Sequence, residues 1–173
     1  ISAAPYRDRV VHHAIINVIE PLFDPSFIDD SYACRKGKGT HAALARFRGW
    51  LPNYRYVLKC DIRKYFQSFD HEILIDRLAR RIGDKRVMWL LGKVIASRDF
   101  NDTAPVWHFP GDDLLAPAER RRGIPVGNLT SQFFANLYLD GFDHWVKEVL
   151  KARAYLRYVD DCAPRRRGEE AGM

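Results

Sequence analysis

Tyr155-Leu156-Arg157-Tyr158-Val159-Asp160-Asp161 decides how this chain is read. A strand-forming run passes directly into two adjacent carboxylates. Successive side chains of a strand point to opposite faces, and burying an unpaired charge is very costly. The two aspartates therefore belong at a strand end or hairpin turn, close to water, a cation, or both. A second apolar run, Tyr56-Val57-Leu58-Lys59-Cys60, also ends in an aspartate, Asp61. Two carboxylate-tipped strands brought together make a site for hard divalent cations with oxygen ligands. The bland alternative is three aspartates that cap helices and close turns.

Composition narrows the setting. At 173 residues and 47% apolar content, the chain has enough material for one domain with a real core, or two interleaved subdomains, and is not a disordered segment. A formal net charge of +6 and a pI near 9.3 favour an anionic partner, nucleic acid first. Cys34, Cys60 and Cys162 are widely spaced and form no zinc pattern, so they read as free thiols of a reducing cytosol. There is no signal peptide, and no apolar run approaches the ~20 residues that span a bilayer. The expectation is a cytoplasmic protein with no membrane partner. The first residue is Ile1, which suggests a fragment.

Along the chain, Pro5 marks a helix start. Val11, Ala14, Ile15, Val18 and Ile19 recur at helical spacing until Pro21, which is expected to stop the run. His12 and His13 have no carboxylate or cysteine at ligand spacing and read as polar residues of that helix. Arg35, Lys36 and Lys38, loosened by Gly37 and Gly39, form a loop able to approach phosphates, or else a solvated basic turn. Thr40 is placed to cap the next helix, with Ala43, Leu44 and Phe47 as its apolar face. In the strand over 54–61, alternation sends Tyr56, Leu58 and Cys60 towards a core and Val57, Lys59 and Asp61 towards a cleft. Asp70 caps a helix over 71–82 that Gly83 ends, and Asp84 caps another. His71 is read as a first-turn residue, not a base. Trp107-His108-Phe109 suggests a short strand. Arg120-Arg121-Arg122 suits either phosphate contact or a solvated patch. A long helix from Asn128 or Thr130 to about Lys151 carries Phe133, Phe134, Leu137, Tyr138, Phe142, Trp145, Val146 and Val149 as a core stripe.

Three of these stretches together resemble the reverse transcriptases. Asp61-Ile62-Arg63-Lys64-Tyr65-Phe66-Gln67-Ser68-Phe69-Asp70-His71 resembles their first catalytic motif, and Tyr158-Val159-Asp160-Asp161 their second aspartate motif. Between them lies Gly123-Ile124-Pro125-Val126-Gly127-Asn128-Leu129-Thr130-Ser131-Gln132, where the family carries a loop that contacts template and nucleotide. The resemblance implies an α+β fold: a right-hand polymerase palm, with an antiparallel sheet and helices packed on one face, plus an interleaved, mostly helical fingers region. Fingers would take 1–53 and 99–125, and palm 54–98 and 126–161. The activity implied is RNA-directed DNA synthesis from an RNA template, a DNA or RNA primer and deoxynucleoside triphosphates.

The same resemblance assigns roles. Asp61, Asp160 and Asp161 would be the catalytic carboxylates, and with the Ile62 carbonyl would hold two Mg²⁺ ions, or Mn²⁺ in their place, about 4 Å apart. Arg35, Lys38, Val126 and Gly127 would contact the incoming nucleotide. Phe66, five residues after Asp61, would lie beneath its sugar and exclude a 2′-hydroxyl; by itself it also reads as a core phenylalanine. Tyr158 and Gln132 would face primer and template. Asp8-Arg9-Val10-Val11, just after Arg7, resembles a template-side fingers segment. The Val126-Gly127 loop, with Gln132 after Ser131, is similar to the diversity-generating retroelement type, whose enzymes work with a small basic accessory protein. Group II intron, retron and phage-defence enzymes, also bacterial or phage-encoded, are its neighbours. The chain departs from the family after Asp161. Pro164 and Arg165-Arg166-Arg167 are expected to bar a buried strand, leaving an aberrant tail over 162–173 and no thumb. A truncated or frameshifted product, inactive alone and at most binding nucleic acid, is the reading that follows from that tail.

Overall fold

The computed structural model describes residues 5–97, 110–113 and 115–166. The chain divides into two compact units, one of Ile1–Phe23 with Arg63–Tyr138, the other of Asp24–Ile62 with Leu139–Met173. Both are built from two separated stretches of sequence. The possible strand at Trp107–Phe109 lies outside the described residues.

The first unit is helical. Helix α1 (Tyr6–Phe23) buries His12, Ile15, Ile16, Ile19 and Phe23. Its buried stripe is turned by about one residue from the expected one: Val11 and Val18 are exposed, and His12 is inside, with Nδ1 2.7 Å from the Thr130 hydroxyl. Pro21 does not stop the helix either. It sits in the last turn, where its missing N–H costs a single bond, and α1 runs two residues past it. Asp70 caps α3 (His71–Ala79) by accepting from the Glu72 and Ile73 amides, and Asp84 caps α4 (Lys85–Ile95) through those of Arg86 and Val87. Helix α3 ends three residues short of Ile82, with Arg80 as its C-cap. After the single turn of α5 (Ala116–Glu119), residues 121–124 run antiparallel to 66–71. The Gly123 amide donates to the Phe69 carbonyl at 2.7 Å and the Ile124 amide to that of Phe66 at 2.9 Å. The His71 ring bonds the Gly123 carbonyl at 2.6 Å, so His71 is a buried structural residue. Two of the three arginines are likewise structural. Arg120 lies between Asp112 and Asp70, and Arg122 is buried and donates to the Pro117 carbonyl.

The second unit carries the sheet. It contains α2 (Thr40–Trp50), β1 (Tyr56–Val57), β2 (Cys60–Asp61), β3 (Tyr155–Tyr158) and β4 (Asp161–Arg166). Helix α6 (Leu129–His144) begins in the first unit and ends in the second, passing into a wide π-type turn over Trp145–Val149. Strand β4 is central and antiparallel to all its neighbours. Tyr158 pairs with Asp161 on the β3 side, while Cys60↔Cys162 and Tyr56↔Arg166 lie on the other. The expectation that Pro164 bars a strand here fails for a specific reason. Strands β1 and β2 share one continuous register with β4, which places Leu58 opposite Pro164. Proline has no N–H to donate, so the ladder breaks at that step and resumes beyond it. Proline thus divides one partner strand into two rather than excluding its own.

Alternation along 54–61 does not produce a core face. Tyr56 and Leu58 are each 60% exposed, and only Cys60 is half-buried, because no described element covers that part of the sheet. The unit's apolar contacts lie instead around Ile28, Val146 and Tyr155, and around Tyr32, Ala43 and Leu156. Phe142, in the last turn of α6, and Trp145 and Val149, where the helix widens, were expected in the core stripe but are exposed. Thr40 is the first residue of α2 and makes no cap; its hydroxyl lies 3.1 Å from that of Tyr158.

His144 supplies a test of the second unit. Its ring bonds Glu148 at 2.7 Å and the Ser26 carbonyl at 2.8 Å, and these bonds raise its pKa. A raised folded pKa stabilises only while the ring is protonated. The His144 contribution is therefore full below the usual histidine range and is lost as pH rises through the folded value. Stability of the wild type relative to His144→Gln, measured by urea unfolding, is expected to fall between about pH 6 and pH 8.

Candidate active site

Strands β3 and β4 are joined by Val159 and Asp160 alone. A two-residue hairpin loop needs positive φ at its first central position, where glycine is usual. Val159 takes that position with φ 56°. For a β-branched side chain this conformation is strained, on the order of 1–3 kcal/mol. The tight turn ends β3 at Tyr158 and starts β4 at Asp161, leaving Asp160 at its tip. Asp61 is directly opposite Asp161. Opposed residues share a face, with Cβ atoms roughly 5 Å apart, and two like charges so placed repel.

Lys59 relieves that repulsion. It lies two residues before Asp61, hence on the same face, and its ammonium is 3.2 Å from Asp161 Oδ1. Phe47, Leu156, Tyr158 and Ala163, with Asp161 and Lys59, line a cavity of about 180 Å³. This is smaller than the ~300 Å³ at which small-molecule pockets begin, so it makes part of a larger site. Three free thiols are present, as expected. Two of them, Cys60 and Cys162, face each other just behind the aspartates, and burial chiefly, then Cys60, pushes the Cys162 thiol up to about 11.

Oxygen-only donors at Asp61 and Asp161 suit a hard dication, since Mg²⁺ is commonly held by one or two carboxylates, with waters and substrate phosphates completing its shell. Among the described residues, no three histidine, cysteine, aspartate or glutamate side chains already stand as a metal-holding group. The donor chemistry fits such an ion. Asp160 at the turn and the carbonyl of half-buried Ile62, next to Asp61, are the further oxygens nearby in sequence.

The other expected residues form separate groups. Arg35 is a brace for its loop. Its Nε, Nη1 and Nη2 make five hydrogen bonds, to the Asp24 carboxylate and to the carbonyls of Asp24, Ile28 and Ser31. As placed here, it offers no donor to a nucleotide. Lys38 bonds exposed Asp29, whose pKa this bond lowers, and lies over the Tyr32 ring. In the first unit, half-buried Phe66 stacks on Phe69, with centroids 6.1 Å apart. Gly127 (φ +107°) and Gln132 line a cavity of about 220 Å³ with Arg9, His12, His13 and Asn128, and Val126 is half-buried beside it in sequence.

Sequence reasoning missed the buried charges behind the turn. Arg157 and Asp143 form an ion pair at 2.7 Å. Burial, then the Asp143 charge, drives the Tyr155 phenol far above its usual range, so it remains a donor to Asp143. Buried Asp30 takes Lys147 at 2.6 Å and Arg46 at 3.0 Å. The signal for the first was an arginine within an apolar strand, since arginine is rarely buried without a partner.

Comparison with known proteins identifies the family. Residues 1–170 match the family model described as reverse transcriptase (RNA-dependent DNA polymerase). Protein YkfC of Escherichia coli is 29% identical over 147 residues, covering 82% of this chain and 35% of that protein. The group II intron-encoded protein LtrA of Lactococcus lactis is 24% identical, covering 83% and 22% respectively. A putative COX1/OXI3 intron 1 protein of Saccharomyces cerevisiae is 23% identical, covering 87% and 17%. The chain thus spans about a third or less of the length of these relatives. With two aspartates opposed across adjacent strands, a third at the adjoining turn and a family model matched over nearly its whole length, the chain belongs to the reverse transcriptase (RNA-dependent DNA polymerase) family.

Proposed function

We propose that this chain is the fingers and much of the palm of an RNA-directed DNA polymerase acting in the cytoplasm. The observation that carries the reading is Asp61 directly opposite Asp161, beside a turn that bears Asp160. The partners are an RNA template, a DNA or RNA primer and deoxynucleoside triphosphates. The primer 3′-hydroxyl attacks the α-phosphorus, and pyrophosphate leaves in line. Asp61, Asp160, Asp161 and the Ile62 carbonyl would hold a pair of Mg²⁺ ions, or Mn²⁺, whose chemistry would be to neutralise the attacking and leaving oxygens. Lys59, whose exposed ammonium lies 3.2 Å from Asp161, would give up that contact to such ions. Lys38, at the loop that Arg35 braces, meets phosphate, Phe66 meets the sugar, and Val126 and Gly127 pass beside the incoming nucleotide. Tyr158 and Gln132 face primer and template.

The retroelement setting has support from two sides. The Pro125-Val126-Gly127 loop favours a diversity-generating retroelement, with its small basic accessory protein. The names of the relatives favour an intron-encoded enzyme. Valine in that loop lacks a side-chain amide for the incoming nucleotide, so base selection is expected to be loose. Val126→Gln should lower misincorporation several-fold, as read by sequencing the cDNA. Equal error rates in the two proteins would remove the support that this loop gives to the retroelement type.

A rival reading, a catalytically inactive nucleic-acid-binding remnant, draws on the Lys59 ammonium resting on Asp161. Primer extension on an RNA template with Mg²⁺ or Mn²⁺ separates the two. The polymerase reading expects extension that Asp160→Ala or Asp61→Ala lowers by at least about a hundredfold. Salt-sensitive duplex binding with no extension would establish the remnant.

A further inference from the structure

The residue two before Val159 is charged, yet buried. Arg157 and Asp143 are each only 1% exposed at the side chain. Arg157 Nε lies 2.9 and 2.8 Å from the two Asp143 oxygens, and the Tyr155 hydroxyl donates to the same carboxylate at 2.7 Å. The guanidinium has a further arm: Nη1 donates to the Val159 carbonyl at 3.0 Å. The main chain of Arg157 is held as well. Its N–H donates to the Asp30 carbonyl at 3.0 Å, and its carbonyl accepts from the Tyr32 amide at 3.1 Å.

Stability alone does not account for this pair. A buried ion pair is often no better than well-packed apolar residues of similar volume, and β3 is otherwise apolar at Leu156 and aromatic at Tyr155 and Tyr158. A hydrophobe at 157 would pack, but it would leave the Val159 carbonyl without this donor. That carbonyl belongs to the residue in the left-handed conformation, and its peptide leads directly into Asp160. A planar guanidinium can grip a carboxylate and a carbonyl at once in fixed directions, whereas an ammonium cannot.

We propose that Arg157 is a positioning residue for the catalytic turn: Asp143 fixes the guanidinium, the guanidinium fixes the Val159 carbonyl, and the carboxylates of Asp160 and Asp161 are thereby aimed. This rests on the reading of Asp160 and Asp161 as metal-holding carboxylates given above. The chain of contacts runs wholly within the second unit, from α6 through β3 to the turn.

Two variants test it. Arg157→Lys keeps the charge and loses the fork. The pair Arg157→Met with Asp143→Asn removes both charges, leaves no buried ion unpaired and keeps an acceptor for Tyr155. Hydrogen exchange followed by mass spectrometry, on this chain without metal or nucleic acid, reads the turn itself. We expect exchange in peptides containing Asp160 and Asp161 to quicken about tenfold in both variants, with α6 and α2 unchanged. In parallel, Mn²⁺ titration followed by electron paramagnetic resonance should show affinity about tenfold weaker than in the wild type. Unchanged exchange at the turn overturns the proposal. So does faster exchange spread evenly over α2, β3 and α6, which would mark a merely structural role, and so does equal Mn²⁺ affinity in all three proteins. A wild type that binds no Mn²⁺ sinks the metal reading of the aspartates instead, while the exchange arm still decides whether Arg157 sets the turn.

Discussion

A two-residue connection between β3 and β4 is the constraint on which the sheet depends. Because side chains alternate along a strand, a slip of one residue would send every side chain of β4 to the opposite face. The turn at Val159–Asp160 forbids that slip. It pairs Tyr158 with Asp161, and β4 carries the register across to Cys60 and Asp61 and on to Tyr56. The opposition of Asp61 and Asp161 follows from that register. A longer and looser loop would have spared Val159 its left-handed backbone, but it would also have left the register open.

Charge is buried around this turn rather than kept away from it. Asp30 and Asp143 are interior carboxylates, and each receives cations and hydroxyls from several sequence positions. Lys147, Arg46 and Tyr32 reach Asp30, while Arg157 and Tyr155 reach Asp143. Such networks add little stability in themselves, but losing one partner leaves an uncompensated buried charge, at about 3–5 kcal/mol. They therefore hold particular residues in particular places. Asp30 ties α2 to the wide turn that follows α6, and Asp143 ties α6 to β3. The segment around Asp30 is further joined to β3 by main-chain bonds on both sides of Arg157. Polar contacts thus define the sheet's surroundings where the apolar ones are few.

Much of this was legible in the sequence, and what was not has identifiable physical reasons. Asp70 and Asp84 were readable as caps because a carboxylate before an apolar helical run has one favoured use. The aspartate turn was readable because two adjacent charges cannot continue a buried strand. The buried stripe of α1 was misplaced because His12 looked polar and Val18 apolar. Its real position depends on Thr130, far along the chain, which accepts or donates the histidine's bond. The strand at Pro164 was missed because a rule about proline in sheets was applied to the residue and not to its N–H. What matters is whether the partner strand needs that donor, and here the ladder simply skips a step. Arg35 looked like a free cation because a sequence does not reveal that Asp24 and three carbonyls will converge on it.

Lys59 shows how an acidic face can be folded without a buried counter-ion. Opposed Asp61 and Asp161 repel, and a cation two residues along the same strand offsets part of that cost. The side chain of Lys59 is 74% exposed and that of Asp161 47%. In such a setting an ion pair contributes about 0–1 kcal/mol and is screened by salt. The lysine therefore compensates the carboxylates without holding them firmly. A buried partner of the kind that Arg157 gives Asp143 would have been prohibitively costly to displace. The same strand arrangement thus separates two uses of a basic residue: a buried arginine that sets geometry, and an exposed lysine that can yield its place.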